Sequence, residues 1–210
     1  RSAMFYGLST GAHHSDRPYP MLMNVPGLKI ITPASPRDAK GLLLTAIEMD
    51  DPVICFEACP LWGMKEDVSD EIYRIPFGVA KTVTEGTDVT VVAVSGAVPE
   101  AWKAATELKD NGVSVEVIDP RTMVPLDRNA IVNSVQKTGR LVVVDPAHRT
   151  CGAAAEISAI VAEECFPSLK APIIRVTTPD TQIPFSPVLE QQLYPNKERI
   201  MAAVKQIINY

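Results

Sequence analysis

Apolar and polar positions change rhythm twice along this chain. Up to about residue 30 no period is held, because Gly7, Gly11, Pro18, Pro20, Pro26 and Gly27 interrupt it, and such punctuation predicts loop. Leu28–Thr32 (LKIIT) then reads as a short buried strand. Ser35-Pro-Arg-Asp38 predicts a helix start, with serine as N-cap, proline at the first helical position and an acid three residues after the cap. Ala39, Leu42, Leu43, Ala46 and Ile47 recur at helical spacing and carry that helix to about Met49. Val53–Phe56 is the next strand. Residues 59–76 lose the period and mix Lys65, Glu66, Asp67, Asp70 and Glu71, which places a boundary between two units near residue 75.

From Pro76 the pattern becomes regular. Strands are predicted at Val79–Val83, Val89–Val94, Val113–Ile118, Leu141–Val144 and Ile173–Thr177, with helices at Pro99–Lys109, Asp127–Lys137 and Ala153–Cys165 between the last four. Gly112 and Gly139 follow two of those helices and can take the left-handed turn that ends a helix. A last helix runs from about Asn196 to Ile208. Strands alternating with helices of this length predict a mostly parallel sheet with right-handed crossovers and helices on both faces. Residues 76–210 thus read as a complete α/β domain and residues 1–75 as part of another.

Composition narrows the function classes. The hydrophobic fraction is 46% and the charged fraction 21%, which predicts a packed globular chain rather than a disordered one. The net charge of −5 lacks the basic face that nucleic acid requires. No apolar run approaches the roughly 20 residues of a membrane-spanning helix. Cys55, Cys59, Cys151 and Cys165 form no C-x-x-C pair, so neither a zinc site nor a disulfide framework is expected, and the chain reads as cytoplasmic. Arg1 is not a methionine and RSAMFY lacks the pattern of a signal peptide, so the sequence reads as starting inside something longer.

Two places could carry chemistry. The predicted strand ends hold Ser95-Gly96, Asp119 with Arg121, Asp145 with His148 and Arg149, and Thr178 with Asp180. Ligands of open α/β sheets lie beyond such ends, so a crevice for an anion is one reading. Turn building and helix capping is the other, and the commoner use of such residues. No dinucleotide fingerprint or Walker lysine is present. The second place is Gly11-Ala-His-His-Ser-Asp16, a glycine-flanked loop with two of the three histidines. A histidine there could donate a proton or contact an anion, or be an exposed bystander.

At these residues the sequence resembles the β subunit of the E1 component of thiamine-diphosphate-dependent 2-oxo acid dehydrogenases, the pyruvate, branched-chain and acetoin types included. GAHHS (11–15), PGLKIITP (26–33), DAKGLLLTAI (38–47), RTMVPLD (121–127), TGRLVVVD (138–145) and PDTQIPFSPVLE (179–190) carry the resemblance in order. It implies the last part of a pyrimidine-binding domain in residues 1–75 and a transketolase C-terminal-like domain in residues 76–210. It also implies oxidative decarboxylation of a 2-oxo acid, with the cofactor ring as electron sink and the acyl unit passed to a lipoyl group on E2. Expected partners are an E1 α subunit, a second β chain and the E2 lipoyl acyltransferase.

His14 matches the family's active-site histidine, near the substrate carboxylate, and His13 stands where glutamine is common. The glutamate that engages the aminopyrimidine has no match, and Glu57 lies in a different strand. Thiamine diphosphate and magnesium are therefore expected in the intact enzyme with its α subunit and not on this chain alone. Potassium is held in some members by backbone carbonyls that match Ala46, Ile47, Met49 and Asp51. Carbonyls at a helix end suit a hard cation, but a water-satisfied helix end is the favoured reading here. Met49 departs from an acidic residue there. Alternatives to an E1 fragment are a non-catalytic dimerisation and E2-docking module, or a stand-alone Rossmann-like protein binding an anion. An exposed sheet edge predicts self-association of the chain.

Overall fold

A computed structural model describes residues 1–210. The first part holds β1 (Ser2–Met4), α1 (Tyr19–Leu22), β2 (Lys29–Ile31), α2 (Pro36–Glu48) and β3 (Val53–Ala58). β1 and β2 flank β3, both parallel to it, with Ser2 opposite Phe56 and Lys29 opposite Val53. The segment before Ile30 is therefore not all loop. A three-residue strand and a single helical turn are too short to display a period, and they form because the chain beyond supplies their partners. α2 starts as its sequence predicts. Ser35 is extended (φ −145°, ψ 161°), and its hydroxyl accepts from the Asp38 N–H at 3.1 Å. The helix buries Leu42 against Ile31, Cys55 and Ile75.

The second part comprises β4 (Lys81–Thr84), β5 (Val89–Ala93), α3 (Val98–Asp110), β6 (Val115–Asp119), β7 (Thr122–Val124), α4 (Arg128–Thr138), β8 (Leu141–His148), α5 (Ala153–Cys165), β9 (Ile174–Thr178), α6 (Pro187–Glu190) and α7 (Lys197–Ile208). Its sheet has the order β4-β6-β5-β8-β9, parallel except for β4, which runs against β6. The first strand begins at Lys81 rather than Val79. Phe77 and Gly78, the latter at φ +74°, form a turn, and the Ala80 N–H donates to Asp127 rather than to a neighbouring strand.

Strand pleating assigns the two faces. Val91, Val117, Val142 and Val144 face α3 and α7, against Ala101, Leu108, Ile200 and Val204. Val92, Ile118 and Val143 face α4 and α5, against Ile131, Val135, Ile157 and Val161. All five residues of β5 are buried, as in a strand covered on both sides, so its apolar run is nearly continuous. Its polar member, Thr90, is matched by Ser134 at 2.7 Å and Thr138 at 2.8 Å. Asp127 caps α4 by accepting from the Ala130 N–H at 3.0 Å, and Gly139 closes it at φ +74°.

β7 lies in neither predicted element and does not join the second sheet. It leaves β6 through Arg121, whose φ is +61°, and pairs antiparallel with β2, Val124 opposite Ile30. The first sheet is thus β1-β3-β2-β7, completed by a strand from the second part of the chain. A shared core of 12 residues fuses the halves, with Met4, Tyr6, Tyr19 and Phe56 meeting Val94, Met123, Ala147 and Tyr194.

Candidate functional site

The polar residues at the strand ends are occupied by the protein itself. Asp145 is fully buried, and its carboxylate accepts from the Tyr19 hydroxyl and from the N–H groups of Ala147 and Ala154, each at 2.9 Å. Burial pushes its carboxyl above the usual range, with those hydrogen bonds opposing. Burial likewise raises the Tyr19 phenol, and Asp145 adds to the effect. Thr178 donates to Pro146 O at 2.6 Å, and Asp180 accepts from the Thr150 N–H at 3.0 Å. His148 Nδ1 lies 2.8 Å from Pro179 O. Over Ser95-Gly96 sits Tyr6, so close that a Cβ on Gly96 would run into its phenol. Capping and turn building account for most of these positions, Ser95 Oγ being buried without a partner, and the first part of the chain covers the strand ends where an anion would lie.

The histidine loop is different. Gly11 (φ +70°) opens a single turn closed by the Ser15 N–H donating to Gly11 O at 3.2 Å, which leaves His13 and His14 exposed at its tip. Their rings lie 4.1 Å apart, inclined by 39°. Beneath the tip the polar side chains are buried. Ser15 is buried and its hydroxyl meets Thr10 Oγ1 at 2.9 Å. Arg17, 5% exposed, donates from Nη1 to Ser15 O and from Nε to Pro146 O at 2.9 Å. Glu190, fully buried, accepts from the Gly7 N–H at 2.9 Å, the Ser9 N–H at 2.7 Å and the Tyr194 hydroxyl at 2.9 Å. An exposed pair of imidazoles therefore stands on a buried, hydrogen-bonded polar base. Sequence reasoning missed Arg17, Tyr19 and Glu190. The signal available was a cation between Ser15 and two prolines, in a stretch without helix or strand pattern.

A second polar cluster joins the sheets at the other end of the seam. Arg121 Nη2 lies 2.8 Å from the buried carboxylate of Asp38, and Arg121 O accepts from the Thr32 N–H at 2.9 Å. Lys81 Nζ approaches the same carboxylate at 3.9 Å. Asp119, buried and hydrogen bonded to the Arg121 N–H at 2.8 Å, has its carboxyl pushed up to about 7, chiefly by burial. Beside the histidine turn, Asp16, Arg17, His148 and Cys151 line a cavity of about 370 Å³. Cys151 and Gly152 also border a larger cavity of about 710 Å³ between α1, β7 and α5.

Comparison with known proteins identifies the family. The pattern described as "Transketolase, pyrimidine binding domain" matches residues 1–61, and that described as "Transketolase, C-terminal domain" matches residues 78–200. The chain belongs to the transketolase family. The acetoin:2,6-dichlorophenolindophenol oxidoreductase subunit beta of Bacillus subtilis (strain 168) is 44% identical to it over 202 residues, 96% of this chain and 59% of that one. The pyruvate dehydrogenase E1 component subunit beta of Staphylococcus epidermidis (strain ATCC 35984 / DSM 28319 / BCRC 17069 / CCUG 31568 / BM 3577 / RP62A) is 42% identical over 205 residues, 97% of this chain and 63% of that one. A solved structure described as "Split gene transketolase, inactive beta4 tetramer" superposes with a TM-score of 0.80 at 25% identity, covering 99% of this chain and 64% of that one. The chain spans about three fifths of the length of these relatives. Its similarity to the β subunits of the E1 components runs over nearly all of its own length.

Other positions of this transketolase-family chain can be placed. α2 ends at Glu48 with no basic residue in its last turn, and Ala46 O accepts only a long bond from the Met49 N–H, 3.4 Å. Lys29 Nζ lies 3.5 Å from the Asp51 carboxylate beside that end. Glu57 forms an ion pair with Arg1, and this bond holds its carboxyl below the usual range. No helix is long and apolar enough to cross a membrane. All four cysteines are free thiols, and only Cys151 is exposed.

Proposed function

We propose that this chain is part of the β component of a thiamine-diphosphate-dependent dehydrogenase E1, acting in the cytoplasm on a 2-oxo acid or on acetoin together with an α chain. The observation that carries the reading is the His13–His14 turn, two exposed imidazoles on a base of buried Ser15, Arg17 and Glu190. That arrangement holds a titratable group in one place while keeping it open to a substrate. It occurs in a chain similar to acetoin and pyruvate dehydrogenase β subunits. In this reading His14 meets the carboxylate of a 2-oxo acid, or the polar oxygens of acetoin where that is the substrate, near the path of the lipoyl group of E2. Residues 1–75 belong to the pyrimidine-binding domain and residues 76–210 to the C-terminal one.

Thiamine diphosphate, when bound, would supply the electron sink for cleaving the bond beside the keto carbon, a decarboxylation where the substrate is a 2-oxo acid. The Glu57 carboxylate is engaged by Arg1, which argues against it as the cofactor's partner. The resemblance assigns the diphosphate and its magnesium to the α chain. A potassium ion at the carbonyls of Ala46, Ile47, Met49 and Asp51 is consistent with the weakly bonded end of α2. The Lys29 ammonium beside Asp51 counts against it.

A second reading, a docking and dimerisation module, is favoured by one feature. Phe185, Val188 and Leu189 are 73%, 68% and 54% exposed around the start of α6, and an apolar patch of that kind suits a partner surface. Titration calorimetry separates the readings. The enzyme reading expects thiamine diphosphate to bind the α–β assembly and not this chain alone. Micromolar binding by this chain alone, or none by the assembly, would overturn it.

A further inference from the structure

We propose that Arg17 is a positioning residue for His14, clamping the Gly11–Ser15 turn to β8 so that the imidazole keeps one placement over the second sheet. The inference rests on the reading of His14 given above. Arg17 lies in irregular chain, yet it is 5% exposed, and a guanidinium is costly to bury unless its donors are used. Two of its donors span different elements. Nη1 donates to Ser15 O, one peptide from His14, and Nε donates to Pro146 O at 2.9 Å in β8. The rings of Tyr194 and Tyr6 stand 5.2 and 5.8 Å from its Cζ and hold the plane of the group.

Stability alone does not explain this residue. No carboxylate hydrogen bonds to it, the buried Asp145 carboxylate feels its charge only through space, and Nη2 is buried without a partner. A buried guanidinium whose donors are only partly used is costly to desolvate, so it is not the residue that packing alone would select. What an apolar residue could not do is hold Ser15 O and Pro146 O in one plane, which takes a forked donor. Neighbouring anchors act elsewhere. Glu190 holds Gly7 and Ser9 before the turn, and Tyr19 reaches Asp145 after it. Thr10 closes the turn on itself. Arg17 is the link from the turn to the sheet.

The test is a double-mutant cycle in the full-length β chain assembled with its α chain, following reduction of dichlorophenolindophenol by 2-oxo acid or acetoin. Arg17→Ala is expected to lower kcat/KM by about 10- to 100-fold, because a misplacement of about 1 Å has that effect. Arg17→Lys, which keeps the charge and loses the fork, is expected to recover little. In a His14→Ala background neither substitution should slow the enzyme further, because both act through the same imidazole. Should Arg17→Ala fail to assemble, Arg17→Lys carries the same comparison. The positioning role is overturned if the Arg17 substitutions cost the same factor with and without His14, or if Arg17→Lys is fully active. A His14→Ala enzyme running at the unmodified rate would instead sink the reading of His14, and the positioning role with it.

Discussion

Replacing Asp119 by asparagine tests the electrostatics of the seam between the two sheets. Asp119 is 1% exposed at the end of β6, and its carboxyl is pushed up to about 7 from an ordinary 3.8. Burial is the main cause, and the Asp38 carboxylate adds to it, while the Arg121 N–H and the cations of Arg121 and Lys81 oppose. A carboxyl raised in the folded state contributes stability that is fully present below pH 3.8 and is lost as pH rises to about 7. A rise of about three pH units, at about 1.4 kcal/mol each, makes the whole loss about 4 kcal/mol. Between about pH 5 and about pH 8 the share lost is about 2 to 3 kcal/mol. Asparagine mimics the protonated acid and keeps an oxygen for the Arg121 N–H, so the variant lacks this dependence. Urea unfolding of both proteins across that range should show the variant gaining about 2 to 3 kcal/mol on the unmodified chain, at equal m-values. A difference that stays constant to within about 0.5 kcal/mol would refute the assignment.

Other consequences follow from packing and exposure. Gly86→Ala would set a Cβ at 2.7 Å from Val115 O and closer still to the Glu116 N, backbone that cannot step aside. A loss of about 3 kcal/mol or more is expected, seen as a drop in Tm of about 6 to 12 °C. Glu190→Gln removes the charge that serves Gly7, Ser9 and Tyr194, with an expected cost of about 2 kcal/mol in denaturant unfolding. An aromatic disulfide reagent should modify Cys151 rapidly in the native chain, and Cys55, Cys59 and Cys165 only after unfolding. For Cys55 the thiol is also pushed up to about 12, chiefly by burial, which slows it further.

The regular α/β core was legible because its rules are local. The start of α2 follows from Ser35, Pro36 and Asp38 alone, and the apolar runs of β5 and β8 announce strands covered on both faces. β7 was not legible. Thr122–Val124 has no period of its own, and its partner Ile30–Ile31 lies about 90 residues earlier. The same holds for β1, which depends on Phe56–Ala58 for its pairing. At the candidate site the histidines stood out by type, while their support did not. Arg17 and Glu190 look like surface charges in sequence, and only the tertiary structure buries them beneath the turn, 173 residues apart. The strand-end residues erred the other way: Asp145 looked available for a ligand, and Tyr19 from the first part of the chain already occupies it.

The most direct test of the account is the rate of dichlorophenolindophenol reduction by the full-length β chain assembled with its α chain, with thiamine diphosphate and magnesium and with pyruvate, a branched-chain 2-oxo acid or acetoin in turn. The account predicts cofactor-dependent turnover of at least one of these, lost by about 100-fold or more on His14→Ala. Turnover of none of them by a correctly assembled enzyme, or turnover indifferent to His14, would contradict it.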